Sequence, residues 1–218
     1  LSGSGTAEDP YLIQNLKELK AFRDYVNGGN TYAGQYVKLT ADIDYGTDHL
    51  EITKSIILDL GGHTLTTRAV NYGLALKNEG IIVTNGKLNH AGTVAAIKVW
   101  NAKAIKDLEI EATNTSGATI GGIVIQEGST VRVDSIKNVT IKGTGLTNGI
   151  QTYNCGTAEK DVIGSMENVN IDAVGVARQF LTDPEWITKL IEDRLDDIKP
   201  CICCHSGCFN FSSSKGHY

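Results

Sequence analysis

The sequence predicts an all-β fold, a right-handed parallel β-helix, and three observations carry the prediction. The first is self-similarity: "IKDLEIEAT" from Ile105, "IKNVTIKGT" from Ile136 and "MENVNIDAV" from Met166 repeat one strand motif at spacings of 31 and 30 residues. The second is an interleaved series, "GLALKN" from Gly73, "AIKVWN" from Ala96, "GIVIQE" from Gly122 and "GIQTYN" from Gly149, at spacings of 23, 26 and 27. Two strand families repeating together describe a solenoid in which every turn adds one strand of each family. The third is composition. Aromatics are 6% of 218 residues, there are 24 glycines and only 3 prolines, and branched aliphatics and threonines are spread evenly, which favours many short strands over a helical bundle. Right-handedness follows from the rule for parallel crossovers.

Taken in order, "NLKELKAFRDYVNGGN" from Asn15 reads as one helix. Asn15 is a good N-cap, Glu18 completes a capping-box-like pair, Leu16, Leu19, Phe22 and Val26 form an apolar stripe, and Gly28 and Gly29 stop the helix. Such a helix is placed to cover the exposed first turn of a solenoid. The period then becomes alternating in "YVKLTADID" (36–44) and "SIILDLGGHTL" (55–65). "LGGHTL" at Leu60 and "VTNGKL" at Val83 read as earlier, shorter turns of the first family. Alternation points Leu108 and Ile110, Val139 and Ile141, and Val169 and Ile171 inward as stacked aliphatic columns. Asp107, Asn138 and Asn168 share one register, as do Asn78, Asn101 and Asn154, and stacked amides of this kind hydrogen-bond from turn to turn and fix the bends. The β-helix is expected over 1–172.

From 173 to 218 the composition changes to charged helix formers. Asp183 is an N-cap and Pro184 an N1 proline, and Ile187, Leu190, Ile191, Leu195 and Ile198 make one helical face. "PCICCHSGC" follows from Pro200, so four of five cysteines fall between Cys201 and Cys208. This crowding fits a metal cluster or its remnant rather than a disulfide framework, which distributes its partners, and Cys155 reads as a lone buried or turn cysteine. A net charge of −5 gives no basic face for nucleic acid, and no stretch approaches twenty apolar residues, so no membrane span is expected. With Leu1 first and no charged-then-apolar segment behind it, the N-terminus does not reveal localisation.

Two resemblances follow. Residues 3–45, with Gly-Thr, Asp-Pro-Tyr, the amphipathic helix, Val-Asn-Gly-Gly and Leu-Thr-Ala-Asp-Ile-Asp, resemble the N-terminal cap of bacterial cell-surface β-helix proteins with pectin-lyase-like folds. That resemblance implies an exported, extracellular or cell-surface protein, with polysaccharide or cell-wall contact as a common role. Residues 173–218 resemble a piece of the iron–sulfur flavoenzymes related to old yellow enzyme and 2,4-dienoyl-CoA reductase. By that resemblance Gly175 and Arg178 match an FMN-phosphate segment, and Cys201, Cys204 and Cys208 match three ligands of a four-iron four-sulfur cluster. The family's fourth cysteine, its preceding barrel strands and its nucleotide-binding domain have no counterpart in this sequence. No cofactor is therefore expected to be bound. The chain reads as two unrelated fragments joined near 172–178, a non-catalytic surface or structural β-helix and a non-functional oxidoreductase fragment. The alternatives are an NADH:flavin oxidoreductase, which would be cytoplasmic, and a polysaccharide lyase or glycosidase of the β-helix class.

Several side chains carry two readings. Trp100 and Tyr153 share a register and form a possible glycan-stacking pair, while Tyr72 precedes its strand and stands apart; core or turn packing is the other reading of all three. Asp107, Glu109 and Glu111 alternate on one strand, as acid/base or calcium carboxylates or as a solvated face, and without a basic column beside them a lyase is not expected. His63 reads as structural. For the cysteines, zinc held by Cys201, Cys204, Cys208 and His205 or His217 stands beside free thiols or disulfides.

Overall fold

The computed structural model describes residues 2–29, 35–116, 120–126, 132–152 and 161–172. The chain divides into two compact units, Leu1–Val174 and Gly175–Tyr218. The helix expected from Pro184 and the cysteine-rich tail lie outside the described residues.

The first unit is a parallel β-solenoid of about five turns. Face A stacks β1 (Tyr11–Ile13), β2 (Gln35–Leu39), β5 (Ile56–Asp59), the front of β8 (Ile82–Gly92), the middle of β9 (Ala95–Asn114) and the fronts of β11 (Arg132–Lys142) and β13 (Ile163–Ile171). Face B stacks β3 (Ile43–Gly46), β6 (Thr64–Thr67) and the rear parts of β8, β9, β11 and β13. Face C stacks β4 (Leu50–Ile52), β7 (Tyr72–Lys77), the front of β9, β10 (Gly121–Ile125) and β12 (Asn148–Thr152). Every one of these pairings is parallel.

The expectation of two strands per turn is corrected to three. What reads as one strand in "IKDLEIEAT" bends at Asp107, whose φ is +53°, and Asn85, Asn138 and Asn168 take the same left-handed conformation at φ of +60°, +52° and +51°. Asn and Asp tolerate this region because a short polar side chain can hydrogen-bond locally, whereas most residues lose roughly 1–2 kcal/mol there. In the earlier turn Gly61 and Gly62 supply the positive φ instead. The side chains of this column form the expected ladder. Asn85 Nδ2 donates to Asp59 Oδ1 at 2.9 Å, Asn138 Nδ2 to Asp107 Oδ1 at 2.8 Å, and Asn168 Nδ2 to Asn138 Oδ1 at 3.0 Å.

The second asparagine column behaves differently. Trp100 is an extra residue in β9, so Asn101 pairs with Lys77 and not with Asn78. Asn78 Nδ2 reaches back to the Thr53 carbonyl oxygen, and Asn27, at the end of the helix, donates to the Glu51 carbonyl while its Oδ1 accepts from Thr53 N–H and Oγ1–H. Asn154 lies outside the described residues.

Helix α1 (Leu16–Asn27) starts as its sequence dictates. Asn15 Oδ1 accepts from Glu18 N–H at 3.0 Å, and Glu18 Oε2 accepts from Gln14 N–H at 2.7 Å, which satisfies two exposed donors. Leu19, Phe22 and Val26 are buried against β3 and β4, so the helix does cover the first turn. Arg23 Nη1 donates to the hydroxyl of Tyr45, a ring that is 1% exposed. From there one aliphatic core runs to Ile141: Leu65, Leu88, Ile110 and Ile141 form one column, Leu108 and Val139 another, and Val169 and Ile171 pack against its far end. No described helix is long and apolar enough to cross a membrane.

Candidate functional site

Two outward surfaces hold chemistry. On face C the bulge turns the Trp100 indole onto the surface, where it meets the Tyr72 ring edge-to-face at 6.1 Å between centroids. The sequence reading set Tyr72 apart because it precedes its strand. That is corrected, because the two rings meet although Tyr72 pairs with Ala95 and Trp100 lies further along the neighbouring strand. Lys77 Nζ lies 4.7 Å from the indole centroid and 2.6 Å from Glu51 Oε2, and the His49 ring stands 4.9 Å from Tyr72 at 71°. Three turns thus contribute to one aromatic patch with a paired cation against the indole. Such a patch offers a flat apolar edge beside hydrogen-bonding groups.

On face B the register places Thr64, Lys87, Glu109 and Thr140 in one outward row and Asp44, Thr66, Asn89, Glu111 and Lys142 in the next. Lys87 Nζ bridges Glu109 Oε1 at 3.1 Å and Glu111 Oε2 at 3.0 Å, and Lys142 Nζ lies 2.7 Å from Glu109 Oε1. The basic column thought missing is therefore present, one turn away on each side of the carboxylates. Its lysines act as counter-ions. Hydrogen bonds from Lys142 and then Lys87 hold the Glu109 carboxyl below its usual value, and Glu111 and Glu109 raise Lys87. Both shifts move the groups away from neutral pH, the opposite of what a general acid or base needs. Asp107 is not on this face: it sits at the bend, its oxygens accepting from Asn138 and, at 3.4 Å, from Thr84 Oγ1.

Beside these pairs lies a cleft of about 180 Å³ lined by Thr66, Arg68, Asn89, Ala91, Glu111 and Thr113, with His90 also at its wall. Arg68 is held through Nη2 at 2.8 Å from both Asp44 oxygens. His90 is 2% exposed and shares a proton with Thr67 Oγ1 through Nδ1 at 2.9 Å. Burial pushes its pKa down to about 4, so the ring is neutral at physiological pH. Two adjacent residues at this cleft, Asn89 through Oδ1 and His90 through Nε2, have a buried polar atom without a partner.

At His63 the main-chain N–H donates to the Leu60 carbonyl oxygen, the carbonyl oxygen accepts from Lys87 N–H, and the ring sits 3.4 Å from Asp42 Oδ1. Among the described residues no group of three or more His, Cys, Asp or Glu side chains is placed to hold a metal ion. Tyr153, Cys155, Gly175, Arg178, Cys201, Cys204, Cys208, His205 and His217 all lie outside the described residues. Reading along strands missed Lys77, Asn89 and Ala91. Aligning "KLNHA" (87–91) with "EIEAT" (109–113) across turns would have found the last two, because the rows of a solenoid run between repeats. No protein-family model matches this chain, and no solved structure matches it either.

Proposed function

We propose that the solenoid is a non-catalytic binding and structural module of an exported bacterial surface protein, and that it touches polysaccharide through Trp100. The observation that carries this reading is the aromatic patch, in which Trp100, Tyr72 and Lys77 from neighbouring turns gather on one outward face. The ion-paired state of Glu109 and Glu111 speaks against a lyase or glycosidase on face B. Binding of the full chain to an array of cell-wall and capsular polysaccharides tests it. Retention of at least one glycan by the native chain, lost in Trp100→Ala and reduced in Tyr72→Ala, is the expected result; no retention by the native chain reduces the solenoid to a scaffold.

For residues 173–218 we propose an origin apart from the solenoid, on the change in their composition. This segment is proposed to bind neither FMN nor an iron–sulfur cluster. An anaerobically purified chain with a yellow flavin band or broad iron–sulfur absorbance would reverse that reading and reopen the oxidoreductase alternative.

A further inference from the structure

Face A carries an apolar row on its outside. Tyr36, Ile57, Ile82 and Ala104 follow one another in register through four turns; each directly precedes an inward core residue and is itself only partly buried. The next outward row, two residues on, runs Lys38, Asp59, Thr84 and Lys106. Its two middle side chains are buried and engaged, Asp59 by Gly61 N–H and Asn85 Nδ2, and Thr84 by Asp107. Its two ends are not. Lys77, Lys87, Lys137 and Lys142 each hold a glutamate at 3.1 Å or closer, whereas no carboxylate among the described residues lies within ion-pair distance of Lys38 or Lys106. On the opposite flank Lys54, Glu79, Lys103 and Asp134 precede the face A segments of successive turns, two of each sign. Face A is thus an apolar strip with an unmatched positive charge at each end of one flank, in a chain whose net charge is −5.

Spacing selects the shape of a partner. Neighbouring strands lie about 4.8 Å apart, so the four apolar positions span about 14 Å along the solenoid axis. An α-helix laid along that axis rises about 1.5 Å per residue, and its positions i, i+3, i+7 and i+10 fall at about 0, 4.5, 10.5 and 15 Å, one on each turn of the solenoid. An extended strand in the same direction places same-face side chains about 6.8 Å apart and drifts out of step at once. Charge selects the flank. We propose that face A docks an amphipathic α-helix of a partner protein, its apolar stripe on Tyr36, Ile57 and Ile82, and acidic residues about ten positions apart on one flank paired with Lys38 and Lys106. The surface is on a different face from Trp100, and each of the two readings stands without the other.

Fluorescence anisotropy with the full chain tests it. The probe is a labelled helical peptide of about sixteen residues with leucines at i, i+3, i+7 and i+10 and glutamates at both ends of one flank; a second probe carries lysines in place of those glutamates. The acidic probe is expected to saturate in the micromolar range and the lysine probe to bind at least about tenfold more weakly. Lys38→Glu combined with Lys106→Glu should invert that order, which adhesion to an apolar surface alone would not do. Ile82→Asp should weaken the acidic probe at least about tenfold with an unchanged circular dichroism spectrum, and should it not fold, the charge-swapped variant decides. Trp100→Ala is expected to leave binding unchanged. No saturation by the acidic probe, equal binding of the two probes, an order that survives the charge swap, or native binding by a folded Ile82→Asp overturns the proposal. Two further results overturn it by naming another occupant: binding to phosphatidylserine vesicles with no binding of either peptide gives face A to a bilayer, and a dimer in sedimentation velocity that Ile82→Asp dissociates gives it to a second copy.

Discussion

At the bend between faces A and B the chain turns on Asn85, Asp107, Asn138 and Asn168, four like residues in the same conformation in successive turns. At the bend between faces B and C the third turn carries His90, stacked between Thr67 and Ala112, which resemble it in nothing but position. The repeated bend hands its hydrogen bonds from one turn to the next. The singular bend leaves Nε2 of a buried imidazole unpaired, and it accommodates the ring only because Gly73 and Gly92 lack side chains. Repetition lets one solution to a local backbone problem serve every turn, whereas a unique residue must be fitted by its own neighbours. The comparison predicts where substitutions and acid should do the most harm.

The largest effect is expected at the singular bend. A Cβ at Gly92 would stand 2.4 Å from His90 Nε2 and 2.5 Å from the Ala69 carbonyl oxygen, so something must shift to admit it. Gly92→Ala should therefore lower stability by about 3 kcal/mol or more in denaturant unfolding. If it loses less than about 1 kcal/mol, the imidazole niche is looser than these distances require.

Acid probes the same bend without a mutation. The folded pKa of His90, about 4, lies below the value of 6.5 for a free imidazole. Between these values the unfolded chain holds a proton that the folded chain refuses. The contribution is thus complete above pH 6.5 and is lost as the pH falls toward 4, by roughly 3 kcal/mol in total. Unfolding curves at several pH values should show this slope in the native chain and its disappearance in His90→Leu. A slope that persists in His90→Leu would place its origin elsewhere.

The repeated bend should give the smallest of the three effects. Asn138→Ala keeps a residue at a φ of +52° without a polar side chain and removes the bonds to Asp107 and from Asn168, for a loss of about 2 kcal/mol. Asn138→Gly removes the same bonds without the backbone cost, so it should lose about 1 kcal/mol less. Equal losses in the two variants would mean that the ladder, and not the left-handed backbone, sets the stability of this bend.

Much of the fold was legible because a solenoid writes its architecture as a period. The spacing of "IKDLEIEAT" and its copies fixed the turns, the inward columns through Leu108 and Ile110 followed from alternation, and Asn15 and Glu18 announced the covering helix. The third face was hidden because its bend is a single residue inside one strand motif: Asp107 shifts the inward pattern by one position, from Ile105 to Leu108, and otherwise looks like any polar residue in a strand. The Trp100 bulge was hidden for a related reason: one inserted residue shifts a register that sequence spacing assumes to be constant. The cleft was less visible still. It is made by Ala91, Asn89 and Thr113 meeting across turns, and its main signal is an absence, a small side chain where its neighbours are long.

The ladder also has a direction. Each amide donates toward the preceding turn, and each run ends on an Asp, Asp59 or Asp107, which when ionised can only accept. Slow hydrolysis of an asparagine side chain to a carboxylate would turn a relay into a terminus, so chemical ageing of this column would act as a loss of coupling between turns. Asn138 is the link that both donates and accepts, and the age of a preparation would register there as a weakened hold between the fourth turn and those that follow it.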